Sequence, residues 1–316
     1  MSKPDMLLIG GATERSLNKL AENFAVHRMP EDREPFLAEH GETIEYLLVN
    51  GHGGVPAELM DRFPNLKIIS NYGVGYDTVD VTRAVERGIV VTHTPNVLND
   101  EVANTAVMLM LATARNFLSD AKHLADGRWP EEGDAPLSTS VAGMTVGILG
   151  LGRIGLATAE KLAVFGVEIV YHTRSKRDVP YRYFDNLRDM AEASDILISI
   201  APSGASTHKI INAEVIDAIG PEGMLINVGR GSVVDEEALI AALQDGRIGK
   251  VGLDVFANEP HVPQALIDHP NATLLPHVGS ATVETRQAMG DLSVDNLVQF
   301  HLTGKAVTPV PECADM

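Results

Sequence analysis

Residues 145–165 constrain this chain more than any other stretch. A short apolar run, Thr145 to Leu149, leads without a spacer into Gly150-Leu151-Gly152-Arg153-Ile154-Gly155, and a segment of helical length, Leu156 to Phe165, follows. A glycine triplet of this spacing says little alone. Between a strand and a helix it predicts a turn built for a dinucleotide. The first glycine permits the tight turn, the second lets the backbone approach a pyrophosphate, and the third brings the helix against the strand. Helix N-terminal amides then face the phosphates. The plainer alternative is a glycine turn with no ligand.

Around this unit, short apolar runs alternate with amphipathic segments, the pattern of parallel α/β sheets. In the first hundred residues strands are predicted at 6–9, 24–27, 46–49, 67–70 and 89–92. A second series is predicted at 145–149, 167–171, 196–200, 224–228, 251–255 and 273–275. The run Ile196-Leu197-Ile198-Ser199-Ile200 has the continuous apolar character of a strand covered on both faces. Two longer helices interrupt the rhythm. One, Asp100 to Arg115, carries Val102, Ala106, Leu109, Met110 and Ala114 at helical spacing. The other, Ala281 to Leu302, does so with Ala288, Met289, Leu292, Val298 and Phe300, and Gly304 supplies its stop. The expected organisation is a discontinuous domain, 1–99 with 285–316, around an inserted domain, 100–284. Residues 127–141, with the sole tryptophan, Trp129, read as an exposed loop or arm.

Composition narrows the function. Among 316 residues, 25 Lys and Arg face 43 Asp and Glu, a net charge of −18 that disfavours a nucleic-acid partner. One cysteine, Cys313, excludes an intrachain disulfide and fits a reducing, cytoplasmic setting. No apolar run approaches the roughly 18 residues of a membrane span. The eleven histidines show no metal-ligand spacing, so no metal site is expected.

The dinucleotide fingerprint expects an acidic residue about 20 positions on, to hold the ribose 2′-hydroxyl. Here that position is His172, within Tyr171-His172-Thr173-Arg174-Ser175-Lys176-Arg177. Three cations and two hydroxyls occupy the loop of an otherwise acidic protein. Such a loop suits a 2′-phosphate, with a solvated basic turn as the plain alternative.

Further candidates follow predicted strands, where open α/β sheets carry their sites. They are Asn227-Val228-Gly229-Arg230-Gly231, Asp254 in GLDVF, Asn258-Glu259-Pro260 and Pro276-His277-Val278-Gly279-Ser280. Arg230 offers a planar fork suited to a carboxylate. Singly, each has a structural explanation: a cap, a surface turn, a core histidine. His261 and His269 read as solvent-facing. In the first hundred residues, Asn50-Gly51-His52-Gly53-Gly54 and Tyr72-Gly73-Val74-Gly75-Tyr76 read as anion nests or as simple turns.

Taken in order, YGVGYD at 72–77, GLGRIG at 150–155, NVGRG at 227–231, GLDVFANEP at 252–260 and PHVGS at 276–280 resemble the D-2-hydroxyacid dehydrogenase family over essentially the whole chain. NYGVGYDTVD and YHTRSKR are most similar to its glyoxylate/hydroxypyruvate and hydroxyphenylpyruvate reductase branch. The resemblance implies a bilobal α/β fold, a flavodoxin-like substrate domain with an inserted Rossmann domain, and a homodimer. It implies Arg230, Glu259 and His277 as the catalytic trio. Gly51, Val74 and Gly75, with Arg230 and His277, would meet the substrate. The cofactor would lie on Thr105, Gly150, Leu151, Gly152, Arg153, Ile154, Thr173, Arg174, Ser175, Lys176, Ala201, Pro202, Thr207, Val228, Gly229, Arg230, Asp254, His277 and Gly279. NAD-dependent relatives carry an acidic residue where this chain has His172, so NADP is the expected cofactor. The implied reaction is NADPH-dependent reduction of a small 2-oxoacid, with His277 as proton donor. In relatives the region of Trp129 reaches over the neighbouring subunit. Alternatives are a reductase of bulkier 2-oxoacids such as hydroxyphenylpyruvate, formate or phosphite oxidation on the same fold, and a nucleotide-sensing corepressor.

Overall fold

A computed structural model describes residues 3–50 and 53–316. The chain divides into two compact units. One runs to Leu98 and resumes at Ala281–Met316, and the other is Asn99–Ser280. The sequence had set the divisions at 99/100 and 284/285, so Asn99 and residues 281–284 change side. The second shift has a local cause. Thr282 caps the helix Val283–Thr303, accepting from the Thr285 amide at 3.2 Å, so the division falls just ahead of that cap.

In the discontinuous unit, β1 (Asp5–Ile9), β2 (Ala25–Arg28), β3 (Ile44–Val49), β4 (Ile68–Asn71) and β5 (Val90–Thr92) form one parallel sheet in the order β2-β1-β3-β4-β5. This is the flavodoxin-like order. Strands β4 and β5 are buried throughout, polar Ser70, Asn71 and Thr92 included, whereas the other edge strand, β2, is only half-buried. The helix Val283–Thr303 turns Met289, Ser293, Val294 and Leu297 inward, and Ser70 Oγ donates to the Ser293 carbonyl at 2.9 Å. Gly304, at φ 75°, ends it. Asn296 then folds the tail back, its Oδ1 accepting from the amides of Val307 and Thr308.

The inserted unit holds β6 (Thr145–Leu149), β7 (Glu168–His172), β8 (Arg182–Phe184), β9 (Ile196–Ser199), β10 (Met224–Asn227), β11 (Lys250–Leu253) and β12 (Ala272–Leu274). All pairs are parallel, in the order β12-β11-β10-β9-β6-β7-β8. The chain starts at β6, builds outward to β8, and then returns past β6 to build the other way. This is the Rossmann arrangement, with its switch point between β6 and β9. The edge strand β8 escaped the sequence: Arg182-Tyr183-Phe184 is three residues long, partly exposed, and has no apolar run to signal it. The helix Asn99–Ala114 packs here, burying Val102, Ala106, Leu109, Met110 and Ala114 as its spacing predicted. Residues 127–141 are not wholly a loop, since Trp129–Glu132 forms a helical turn after the helix Phe117–Ala125.

Candidate active site

At the switch point the glycine turn divides its labour. Gly150 sits at φ +95°, and a Cβ there would stand 3.0 Å from the Ala201 amide nitrogen of the turn after β9. A Cβ on Gly155 would stand 2.3 Å from the Gly150 carbonyl oxygen, so the helix Arg153–Leu162 approaches the strand only without one. At Gly152 a Cβ would meet nothing within 4 Å. The middle glycine therefore opens onto space, as an approaching pyrophosphate requires. Gly152 is the N-cap and supplies no side-chain cap, which leaves the helix's first amides to a ligand. The neighbouring turns brace this cradle. Thr207 Oγ1 donates to the Pro202 carbonyl at 2.7 Å, and Val228 is buried with its amide on the Ser199 carbonyl at 3.1 Å. Gly229 lies so close to the Ala201 carbonyl that a Cβ would stand 2.6 Å away.

The loop after β7 sorts its three cations. The phenol of Tyr171, fully buried, donates to the Arg177 carbonyl at 3.1 Å and accepts from the Arg177 amide at 2.9 Å. Arg177 Nη1 then donates to the Leu151 carbonyl in the glycine turn. Arg177 is thus spent on the protein. Arg174 and Lys176 are exposed, and neither makes a side-chain hydrogen bond or ion pair among the described residues. Thr173 Oγ1 donates to the Ser175 carbonyl at 2.7 Å, bending the loop, and His172 Nδ1 donates to the Phe184 carbonyl at 2.9 Å.

The turns after β10, β11 and β12 bring the remaining candidates of this unit together. His277 Nδ1 donates to Glu259 Oε2 at 2.7 Å, and Glu259 Oε1 accepts from the Phe256 amide at 2.9 Å. The Glu259 side chain is 14% exposed against 42% for the imidazole, so a sheltered carboxylate holds a more open ring. His277 adopts φ 53°, a left-handed conformation that costs a non-glycine residue about 1–2 kcal/mol. Asp254 holds it there. Its carbonyl accepts from the His277 amide, and its two carboxylate oxygens accept from the amides of Val278 and Gly279, each bond at 2.8 Å. Burial pushes the Asp254 carboxyl above the usual carboxylate range, against those two amides, which favour the charged form. Thr105 Oγ1 donates to the Gly279 carbonyl at 3.1 Å, tying the long helix to the same turn.

Arg230 follows β10 and depends on Asn227, which the sequence placed in the same run but gave no role. Asn227, 1% exposed, accepts from the Gly229 amide at 3.1 Å and donates to the Arg230 carbonyl at 3.0 Å. The next residue, Gly231, packs on the Phe256 peptide so tightly that a Cβ would stand 1.9 Å from its carbonyl carbon. The arginine turn and the glutamate turn are therefore one interlocked body. His261 is exposed, but His269 is half-buried, with Nδ1 accepting from the Asn271 amide at 3.2 Å.

In the discontinuous unit, Val74 and Gly75 lie in the turn after β4. Asn71 Nδ2 donates to the carbonyls of Gly73 and Gly75, at 3.2 and 2.9 Å, and His93 Nδ1 donates to the Val74 carbonyl at 3.0 Å. The amides of Val74 and Gly75 make no backbone–backbone hydrogen bond among the described residues. Gly51 lies outside the described residues. Neither Asn71 nor His93 was expected here. The only sequence signal was that Asn71 opens the quoted NYGVGYDTVD run.

A glycine-turned Rossmann unit and an imidazole–carboxylate pair beside an arginine turn define a dinucleotide-dependent oxidoreductase. Residues 107–279 match the family model of the NAD-binding domain of D-isomer specific 2-hydroxyacid dehydrogenases, and the chain belongs to that family. It is 46% identical over 299 residues to hydroxyphenylpyruvate reductase of Plectranthus scutellarioides, covering 94% of this chain and 95% of that protein. It is 43% identical to glyoxylate/hydroxypyruvate reductase A of Arabidopsis thaliana, over 93% of this chain and 94% of the relative. Among solved structures it resembles the NADPH-dependent glyoxylate/hydroxypyruvate reductase of Sinorhizobium meliloti in complex with NADP and malonate. That match has a TM-score of 0.93 and 51% identity, covering 99% of this chain and 98% of that one.

Proposed function

We propose that this protein reduces small 2-oxoacids, glyoxylate and hydroxypyruvate, to D-2-hydroxyacids with NADPH. The observation that carries the proposal is the 2.7 Å hydrogen bond between His277 and Glu259, held on a left-handed turn by Asp254. The named activities of the relatives from Arabidopsis and Sinorhizobium support the substrate class and the cofactor. The inserted unit is the NADP-binding domain and the discontinuous unit the substrate domain.

When bound, the nicotinamide supplies a hydride to the substrate's carbonyl carbon. The protein does the rest. Arg230 brings a planar cation to the carboxylate and carbonyl oxygens, so positive charge meets the developing oxyanion. His277, with Nδ1 committed to Glu259, delivers a proton from Nε2 to the new alkoxide. Glu259 fixes the orientation of the ring through its hydrogen bond to Nδ1. The amides of Val74 and Gly75 bind the substrate carboxylate, with Gly51 beside them. The amides from Gly150 to Ile154 take the pyrophosphate. Thr173, Arg174, Ser175 and Lys176 take the 2′-phosphate. Ala201, Pro202, Thr207, Val228, Gly229, Thr105, Asp254 and Gly279 line the remaining cofactor surface.

The cofactor choice rests on Arg174 and Lys176, the two cations of the loop that the protein leaves unspent. The protein works as a cytoplasmic homodimer. Its exposed apolar side chains at Phe117, Leu118, Leu124, Trp129 and Leu137 support a second copy as partner, and its charge of −18 argues against nucleic acid. Among the described residues no helix is long and apolar enough to cross a membrane. Steady-state oxidation of NADPH and NADH with glyoxylate, hydroxypyruvate and an arylpyruvate tests the whole proposal. Multiple turnovers on the two small acids with NADPH are expected, and no turnover on any acid would sink it. The 46% identity to a hydroxyphenylpyruvate reductase favours a second reading, a bulkier 2-oxoacid, which the same panel separates.

A further inference from the structure

We infer that Asn71 is a positioning residue of the carboxylate site: by holding the Gly73 and Gly75 carbonyls, its side chain fixes the peptide plane that presents the Val74 amide and the plane that follows the Gly75 amide, and so brackets the pair. The inference rests on the proposal that those amides bind the substrate carboxylate. Asn71 is the last residue of β4 and is 6% exposed, so its amide has almost no access to water. A primary amide has two donor hydrogens, and here both are used. One goes to the Gly73 carbonyl at 3.2 Å and the other to the Gly75 carbonyl at 2.9 Å.

The consequence follows from the planarity of the trans peptide. A carbonyl and the next residue's N–H point in opposite directions across one rigid plane. With the Gly73 carbonyl held on Asn71, the Val74 N–H is turned to the other side. The Gly75 carbonyl, held the same way, turns the Tyr76 N–H. The plane between these two is fixed by His93, whose Nδ1 donates to the Val74 carbonyl at 3.0 Å and so directs the Gly75 N–H. The Gly73 carbonyl has a second donor, the Thr94 amide at 2.9 Å. The Gly75 carbonyl has Asn71 as its only donor among the hydrogen bonds described. Three successive planes are therefore set by carbonyls pinned from behind. Glycine on both sides of Val74 makes the segment free to rotate without those pins. Two side chains that need never touch the anion, Asn71 and His93, decide between them whether the amides are ready for it.

The test separates this inference from the reading beneath it. Asn71→Leu keeps the approximate size and removes both donors. Its expected effect is a rise of about tenfold or more in KM for glyoxylate and in Kd for oxalate, by the loss of two ordinary hydrogen bonds. The kcat should stay within about twofold, and the Kd for NADPH should not change, because the cofactor residues belong to the other unit. A general weakening of the fold would not give this split. Val74→Pro, which deletes one of the amides, is the companion variant. Lost oxalate affinity in Val74→Pro with unchanged affinity in Asn71→Leu would overturn the role of Asn71 and leave the amide site standing. Unchanged affinity in both would overturn the amide site and the inference with it. A fall in kcat at constant KM in Asn71→Leu would also overturn it. If Asn71→Leu does not fold, Asn71→Ser, with one donor left, is measured against the same outcomes, and a KM rise of about threefold is expected.

Discussion

Asn227 and Asn71 end parallel strands in different units, and each side chain ties down the glycine loop that follows. Their products differ. Asn227 bonds the backbone around Gly229 and Arg230, and what it delivers is a side chain, a guanidinium. Asn71 bonds the backbone on both sides of Val74, and what it delivers, together with His93, is the backbone itself, a pair of amides. On the proposed function, the inserted unit would hold its chemistry in residue types (imidazole, carboxylate, guanidinium) and the discontinuous unit in peptide orientation. Side-chain chemistry needs the residue named, and tolerates only that residue. Peptide chemistry needs a conformation, and the residue presenting the amide can be as plain as valine.

The contrast breaks most visibly at His277. His277→Ala should lower kcat by about 10²–10⁴-fold, the usual worth of a general acid, while oxalate and NADPH still bind. Equal loss of oxalate binding would mean that the imidazole shares the carboxylate site, and the division of labour would fail. Next in size is cofactor choice. Arg174→Ala should cost about 10–100-fold in kcat/KM for NADPH and little for NADH, since a charge-assisted hydrogen bond is worth about 1.5–3 kcal/mol. Adding His172→Asp should move the preference toward NADH, and the NADPH advantage should shrink in high salt because the loop is exposed. Equal losses with both cofactors would make Arg174 a brace like Arg177.

Asp254 sharpens the comparison by joining both modes, a side chain that holds the amides of the turn carrying His277. Asp254→Asn keeps one acceptor oxygen and brings two donor hydrogens, so one of the amides of Val278 and Gly279 loses its partner, at about 1–3 kcal/mol. The pH dependence has a definite sign. Burial raises the carboxyl above its ordinary value of 3.8 in the folded protein, so its favourable contribution is complete below that value and is lost as pH rises through the folded one. Urea titrations between acid and neutral pH should show the parent's margin over Asp254→Asn largest at the acid end and narrowing upward. A margin that widens with pH would mean that the two amide bonds outweigh burial. The smallest effect is expected at Trp129, 56% exposed with its indole N–H on Asp134 at 3.0 Å. Trp129→Ala should weaken the dimer or raise KM by a few-fold for the larger 2-oxoacids, as sedimentation and kinetics would show. Neither changing would confine Trp129 to its own helical turn.

The sequence by itself determined the strand–glycine–helix unit, the parallel α/β class and both long helices, and its motifs named Arg230, Glu259 and His277 as the candidates that the proposed function uses. Each depends on near neighbours: glycine spacing, unbroken apolar runs, helical periodicity, or a motif that names a residue. The three-residue edge strand β8 left no such trace, because a half-exposed edge has no face that must be apolar. Only the tertiary structure decided which loop cations stay available, since Arg177 is claimed by a carbonyl 26 residues earlier in the chain. It alone decided that His277 is held left-handed by Asp254, 23 residues before it, and that Asn71 and His93 turn the peptides around Val74. Periodicity fixes how a segment faces the core, but the partner of a buried donor is chosen when distant turns are packed together at the ends of the strands.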